Sequence, residues 1–280
     1  MKFEIIICFK LGKGMVNKMK AYEKLQAARS NVRPTAVNYI DELFTDIFEL
    51  HGDRNFADDP AIIGGIGYLE NLPVTFIGIE KGHDTQSRIF HNFGCPKPEG
   101  YRKALRLMKQ AEKFRRPIIC IVDTSGAFCG EEAEQRGQGQ AIAENLMEMM
   151  GIKTPIISIV IGEGGSGGAL GLAVADRVYM LENAVYSVIS PEGCASIIWK
   201  DSQKVAEAAE CLHITAEDMK NFGVAETIIE EDFYNFNQMC GNIKSQILND
   251  LSVLISDSTE KLLTNRYNRF RSLGVFKKKK

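Results

Sequence analysis

From Ile161 to Leu170 the chain reads Ile-Gly-Glu-Gly-Gly-Ser-Gly-Gly-Ala-Leu, which puts five glycines into the seven residues from Gly162 to Gly168. An apolar strand-like run precedes them and a helix is expected after them. Such a segment brings bare backbone N–H groups up against a ligand. Without Cβ atoms the chain can turn tightly at positive φ, and the following helix presents unpaired donors and the positive end of its dipole. A group that is negative, or becomes negative during a reaction, belongs there.

The segment satisfies several patterns at once. Gly162, Gly164 and Gly167 spell the dinucleotide fingerprint G-x-G-x-x-G, with Glu182 at a suitable distance to hold a ribose of NAD. Gly164, Ser166 and Gly168 spell G-x-S-x-G, the nucleophile elbow of a serine hydrolase. A third reading is an oxyanion hole built from the N–H groups of Gly167 and Gly168, with no nucleophile. The plainest reading is a strand-to-helix turn whose glycines only permit close packing.

The rest of the chain bounds these choices. Its 280 residues, 45% of them hydrophobic, can bury a large α/β core, and the net charge of −2 gives no footprint for nucleic acid or an anionic membrane as primary partner. Lys277 to Lys280 form the one basic run, which reads as a solvated tail. The seven cysteines are odd in number and contain no C-x-x-C pair. That usage suits reduced thiols in a cytoplasm and argues against a metal site within this chain. No stretch is apolar enough for a membrane span, and the run at Ile5–Ile7 is too short for a signal-peptide core. Residues 1–19 fit neither a helix nor a hairpin, and Gly12-Lys-Gly14 is consistent with a translated ribosome-binding region.

From residue 20 onward a single domain is expected: helical over 20–50, a core over about 51–232, and C-terminal helices over about 235–272. Tyr39, Leu43, Ile47 and Leu50 mark one stripe of a helix introduced by Pro34 and Thr35. Ile62–Tyr68 and Val74–Ile79 read as two strands joined by a tight turn over Glu70–Pro73. A long basic amphipathic helix ends before Pro117. Ile118–Val122 and Ile156–Ile161 are continuous apolar runs, read as strands buried on both faces, and each leads into a loop of small residues and a helix. Short strands are expected at 177–180 and 185–188. After Pro191 the chain reads as mainly helical, with Ile243, Ile247, Leu251 and Leu254 on one face.

A Rossmann unit wants its fingerprint near its first strand, whereas at least three strands and some 160 residues precede Gly162. A hydrolase needs a histidine after Ser166; His213 is the only one downstream and has no evident acid partner. His51, His83 and His91 lack metal-ligand spacing. Lys81, Arg88, Arg102, Lys103 and Arg106 form a basic cluster suited to phosphates or an acidic partner, or to nothing more than a solvated helix face. A loop with strong donors and no evident nucleophile, base or metal suits a substrate that brings its own base.

His51-Gly-Asp-Arg54, Ala57-Asp-Asp59, Gly64-Gly65, Pro98 to Met108, Ile161 to Leu170 and Tyr186 to Lys200 together resemble the alpha subunits of bacterial acetyl-CoA carboxylase carboxyltransferase. The likeness runs from about Leu25 to Leu273. It implies a crotonase-like fold, a spiral of ββα units with helical extensions. It also implies a beta-subunit partner carrying zinc, in an α2β2 heterotetramer that is active only when assembled. Carboxybiotin would arrive on the biotin carboxyl carrier protein, after ATP has been used by the biotin carboxylase component, and acetyl-CoA would become malonyl-CoA for fatty acid synthesis. Gly167 and Gly168 would then be the backbone oxyanion hole. Gly164, Gly165, Ser166, Ala169, Gly126 and Ala127 would line the substrate. Relatives usually carry D-T-x-G-A-Y-P-G where this chain has Asp123-Thr-Ser-Gly-Ala-Phe-Cys-Gly130, so at the pocket edge Phe128 loses a hydroxyl and Cys129 replaces a rigid proline.

Overall fold

A computed structural model describes residues 20–274; residues 1–19 and the lysine tail lie outside them. One eight-stranded sheet organises the chain. Its order is β1 (Thr45–Glu49), β2 (Ile62–Leu69), β3 (Leu72–Ile79), β4 (Ile118–Thr124), β5 (Ile156–Gly165), β6 (Arg177–Leu181) and β8 (Thr227–Ile229), with β7 (Val185–Ser187) paired to the end of β5. The first three strands are antiparallel and the others run parallel.

Helices cover both faces. Gly64 and Gly78 lie on adjacent rungs of the β2–β3 pair and so point to opposite sides. A Cβ at Gly64 would lie 2.5 Å from Leu107 of α4 (Pro98–Lys113), and one at Gly78 would lie 3.1 Å from Ala36 and Ile40 of α2 (Ala36–Leu43). On the first face α4 packs with α6 (Gln138–Gly151); on the second α2 packs with α11 (Phe236–Ser256). Ile243, Ile247, Leu251 and Leu254 of α11 are buried, as their spacing predicts. All seven residues of β4 are buried, which is why that run lacks alternation.

Two expectations need correction. The helix over 20–50 is broken: α1 (Ala21–Ala28) and α2 end well before Leu50, and Thr45–Glu49 is the fully exposed edge strand β1. The stripe that reaches Tyr39 and Leu43 therefore does not include Ile47. Phe44 is already extended, and Gly67 leaves room for β1 to pair, since a Cβ there would lie 3.1 Å from Thr45 O. Backbone pairing with β2 has overridden a coincidence of spacing. The hairpin turn is also shorter than the sequence suggested: only Glu70 and Asn71 lie between the strands, Glu70 at φ 55, while Leu72 and Pro73 belong to β3. Strand β8 is a further element, too short to leave a pattern.

Candidate active site

The glycine segment divides into three parts. β5 continues as extended chain through Gly165, pairing Gly164 with Thr124 on one side and Tyr186 on the other. The turn itself falls on Ser166, an exposed residue at φ 49, and α7 (Ser166–Leu170) begins there. Positive φ was expected from a glycine, and it is carried by the serine instead.

What the glycines supply is the absence of a Cβ. One at Gly162 would meet the Asp123 carboxylate, and one at Gly165 the carbonyl of Ser125. At Gly164 it would lie 2.5 Å from the Tyr186 ring, and at Gly168 2.5 Å from Ala127 N and 2.7 Å from Gly126 C. Gly167 is different, because its nearest neighbour would be Ile142 at 3.7 Å. The turn after β5 thus lies main chain to main chain on the turn after β4.

That second turn is fastened locally. Thr124 Oγ1 accepts a hydrogen bond from Gly126 N at 3.0 Å and donates to Gly126 O at 2.8 Å. Gly126 stands at φ 150 with open space where a side chain would be. Asp123, buried at the end of β4, ties the turns together: Oδ1 accepts from Glu163 N at 2.9 Å, and Oδ2 lies 2.5 Å from Lys81 Nζ. From α4 the buried Tyr101 hydroxyl donates to Gly168 O at 3.0 Å. Gly167 and Gly168 lie in the first turn of α7, where no carbonyl of that helix can accept from their N–H groups.

Unlike cavities flank the turn. One, of about 360 Å³, is lined by Ser166, Gly167, Leu170, Tyr186, Val188 and Met219 and is mostly apolar. The other, of about 190 Å³, is lined by charged groups, among them Arg29, Lys81, Arg88, Asp123 and Glu163. Burial raises the Glu163 pKa, with Arg29 Nε, 2.8 Å away, opposing that shift.

The residues on which other chemistries depended lie elsewhere. Glu182 accepts from Glu231 N at 2.9 Å, so this carboxylate is engaged in joining the ends of β6 and β8. His213 is exposed and faces Asp218 at 3.6 Å, and among the described residues no hydrogen bond joins it to Ser166. Neither the dinucleotide nor the hydrolase reading is supported. His51 meets Asp58, His83 meets Asp84, and His91 meets the carbonyl of Pro60.

The basic cluster is split as well. Arg102 pairs with Asp53 at 2.8 Å, Lys103 with Asp58 and the Ile62 carbonyl at 2.7 Å each, and Arg106 with the Gly52 carbonyl at 3.0 Å. These three clamp the loop before β2 onto α4 rather than forming a free helix face. Lys81 and Arg88 line the charged cavity beside the turn. Phe128 lies beside Lys97 and donates its N–H to Pro96 O, while Cys129 is exposed. Tyr101, Glu163 and Arg29 were given no role from sequence. Tyr101 sits inside the Pro98–Met108 motif, which was the available signal.

Comparisons with known proteins concern the chain as a whole. The family described as acetyl co-enzyme A carboxylase carboxyltransferase-like matches residues 8–274. The acetyl-coenzyme A carboxylase carboxyl transferase subunit alpha of Ruminiclostridium cellulolyticum is 57% identical over 257 residues, covering 92% of this chain and 99% of that protein. The subunit alpha of Clostridium perfringens is 57% identical over 267 residues, covering 94% and 98%. In Natranaerobius thermophilus a protein named for subunits beta/alpha is 56% identical over 263 residues, which is 92% of this chain but 44% of that one.

Among solved structures, transcarboxylase 12S matches with a TM-score of 0.68 at 16% identity, over 86% of this chain and about half (46%) of its own. A Pseudomonas malonate decarboxylase hetero-tetramer matches at 0.62 and 15%, over 76% and 87%. At such identities they speak for the fold alone, which is crotonase-like. From the glycine turn, the fold and the extent of these matches together, the chain belongs to the alpha-subunit family of acetyl-CoA carboxylase carboxyltransferases.

Proposed function

We propose that this chain, joined to a beta subunit in an α2β2 assembly, transfers a carboxyl group from carboxybiotin on the biotin carboxyl carrier protein to acetyl-CoA, giving malonyl-CoA. The observation that carries the reading is the main-chain contact of Gly168 with Gly126–Ala127, which leaves no side chain between two donor-bearing turns. Relatives named for fused beta and alpha subunits support the beta partner. The N–H groups of Gly167 and Gly168, in the first turn of α7, suit a ligand oxygen, and a Cβ at Gly168 would force the two turns apart.

Bound carboxybiotin supplies the carboxyl group, a ureido oxygen that turns negative when that group leaves, and the base for the acetyl methyl proton. Gly167 and Gly168 donate their N–H groups to that oxygen, Ala169 standing next in line. One such donor is typically worth about 2.7–4 kcal/mol in the barrier. Gly164 and Gly165 allow close approach, and Gly126 and Ala127 form the facing wall. Ser166 sets the turn and is not a nucleophile. Tyr101 holds the Gly168–Ala169 peptide through the Gly168 carbonyl. Among the described residues no helix is long and apolar enough to cross a membrane and six cysteines are free, which is compatible with work in the cytoplasm.

The test is malonyl-CoA formation from acetyl-CoA and carboxybiotin by this chain alone, the cognate beta chain alone, and the mixture. Activity is expected only in the mixture, and Gly168→Val should remove it while the assembly persists. A Gly168→Val complex as active as the parent would reduce this chain to a scaffold.

A further inference from the structure

Most charged side chains at the carboxyl edge of the sheet are matched. Asp123 holds Lys81 at 2.5 Å; Glu163 holds Arg29 at 2.8 Å, and Arg29 continues to Glu192 at 2.5 Å. Arg88 is the exception. Its Nε donates to Gly82 O at 3.3 Å and its NH2 to Asn31 Oδ1 at 2.6 Å, both neutral acceptors. Among the described residues no carboxylate pairs with it. A guanidinium carries five N–H donors in a planar fork, and two of them are used here.

Arg88 is nevertheless firmly placed. It belongs to α3 (Thr85–Phe90), whose start is capped by Asp84, with Oδ1 accepting from Gln86 N at 2.8 Å and Ser87 N at 2.9 Å. The Ser87 hydroxyl accepts in turn from Asp84 N at 3.1 Å. Gly82, at φ 74, closes the chain tightly enough that a Cβ there would lie 2.5 Å from Arg88 N. A preorganised cation with spare donors thus lines a cavity of about 190 Å³, together with Ser125 beside the Gly126 turn.

We propose that this cavity is a carboxylate-binding site with Arg88 as its principal partner. The planar fork matches the two oxygens of a carboxylate. Asp123 and Glu163, also in the lining, repel a phosphate, which concentrates its charge on one centre, more than a single carboxylate group whose charge is one. The cavity has room for a carboxylate on a small group and not for a nucleotide. The inference rests on the carboxyl-transfer reading for its physiological ligand, since that reaction has a carboxylate on the donor and another on the product.

Binding is tested first on the whole chain by NMR titration with malonate, acetate and inorganic phosphate. Saturable shifts at the Arg88 and Ser125 amides are expected with malonate and acetate, with phosphate weaker. Arg88→Ala should weaken malonate at least about tenfold, as loss of a charge-assisted hydrogen bond does, and Arg88→Lys should restore part of it. Unchanged malonate binding in Arg88→Ala, no malonate binding by the parent, or tighter phosphate binding would overturn the proposal. The assembled complex separates the sources. A raised KM for carboxybiotin in the Arg88→Ala complex identifies the donor's carboxylate, and a raised KM for malonyl-CoA in reverse identifies the product's. Neither KM moving would count against the site. If the parent complex transfers no carboxyl group, the functional reading fails, while malonate binding stands or falls by its own measurement.

Discussion

The two edges of the sheet treat an arginine in opposite ways. At the amino edge, Arg266 is fully enclosed and all five of its donors are used. Nε and NH2 grip Asp176 at 2.8 and 2.7 Å, NH1 reaches the carbonyls of Met149 and Ile152 at 2.7 and 2.6 Å, and NH2 also reaches Thr154 O at 3.0 Å. Asp176 additionally accepts from Ile156 N at 2.8 Å, at the start of β5. At the carboxyl edge, Arg88 keeps donors in reserve and the α7 turn leaves main-chain N–H groups without helical partners. A charge whose bonds are complete holds a fold together, whereas one left incomplete is available to a ligand.

The contrast can be broken most forcefully at Arg266. Arg266→Ala strands Asp176 in the interior and should cost about 3–5 kcal/mol of stability, read from the urea midpoint of the chain. Replacing both partners together, Arg266→Met with Asp176→Leu, should recover part of the loss, since no charge is stranded but the Met149, Ile152 and Thr154 carbonyls and Ile156 N lose their partners; a double variant no better than the single one would refute the clamp. Next comes the other edge. Gly168→Ala adds a methyl 2.5 Å from Ala127 N and should lower kcat of the assembled complex by about 100- to 1000-fold. Gly167→Ala meets only Ile142 at 3.7 Å and keeps its N–H, so it should remain close to the parent. Equal damage from both would mean that the space around the turn has been misjudged.

A milder effect concerns pH. Burial is the main influence on the Asp59 carboxyl and raises its pKa to about 6, outweighing the hydrogen bonds from Ala61 N and Lys97 N, with nearby Glu99 adding to the rise. The folded state therefore holds this proton more tightly than the unfolded chain does. The resulting stability is fully present below about pH 4 and is lost as pH rises through about 6. Asp59→Asn should flatten that slope in denaturation measured across pH 4–7, and an unchanged slope would assign it to other groups. The smallest effect is expected at Cys129, which is exposed. Cys129→Pro should leave turnover unchanged or raise it, and a fall would contradict the view that cysteine only loosened a rigid wall.

Much of this was legible in the residues. Continuous apolar runs gave β4 and β5, and the spacing of Ile243 to Leu254 gave the buried face of α11. The order of long motifs identified the family. What escaped depends on partners distant in sequence. Ile47 kept helical spacing with Tyr39 and Leu43 yet lies on an edge strand, because pairing to β2 decided the matter. The α4 cations looked like one cluster, and only the path of the loop before β2 shows that Arg102, Lys103 and Arg106 are engaged there. At the glycine turn the composition was informative but its reason was misassigned, since positive φ resides on Ser166 while the glycines clear space for facing backbone.

That last feature bears on how such a protein would be dissected. Alanine scanning works by subtraction: it trims a side chain and asks what the missing atoms did. At Gly165 and Gly168 there is nothing to trim, and the same substitution becomes an insertion of mass into a seam between two backbones. A survey of polar side chains alone would find the groups that brace this turn, Thr124, Asp123 and Tyr101, and miss the turn itself, because its working groups are peptide bonds that every residue possesses.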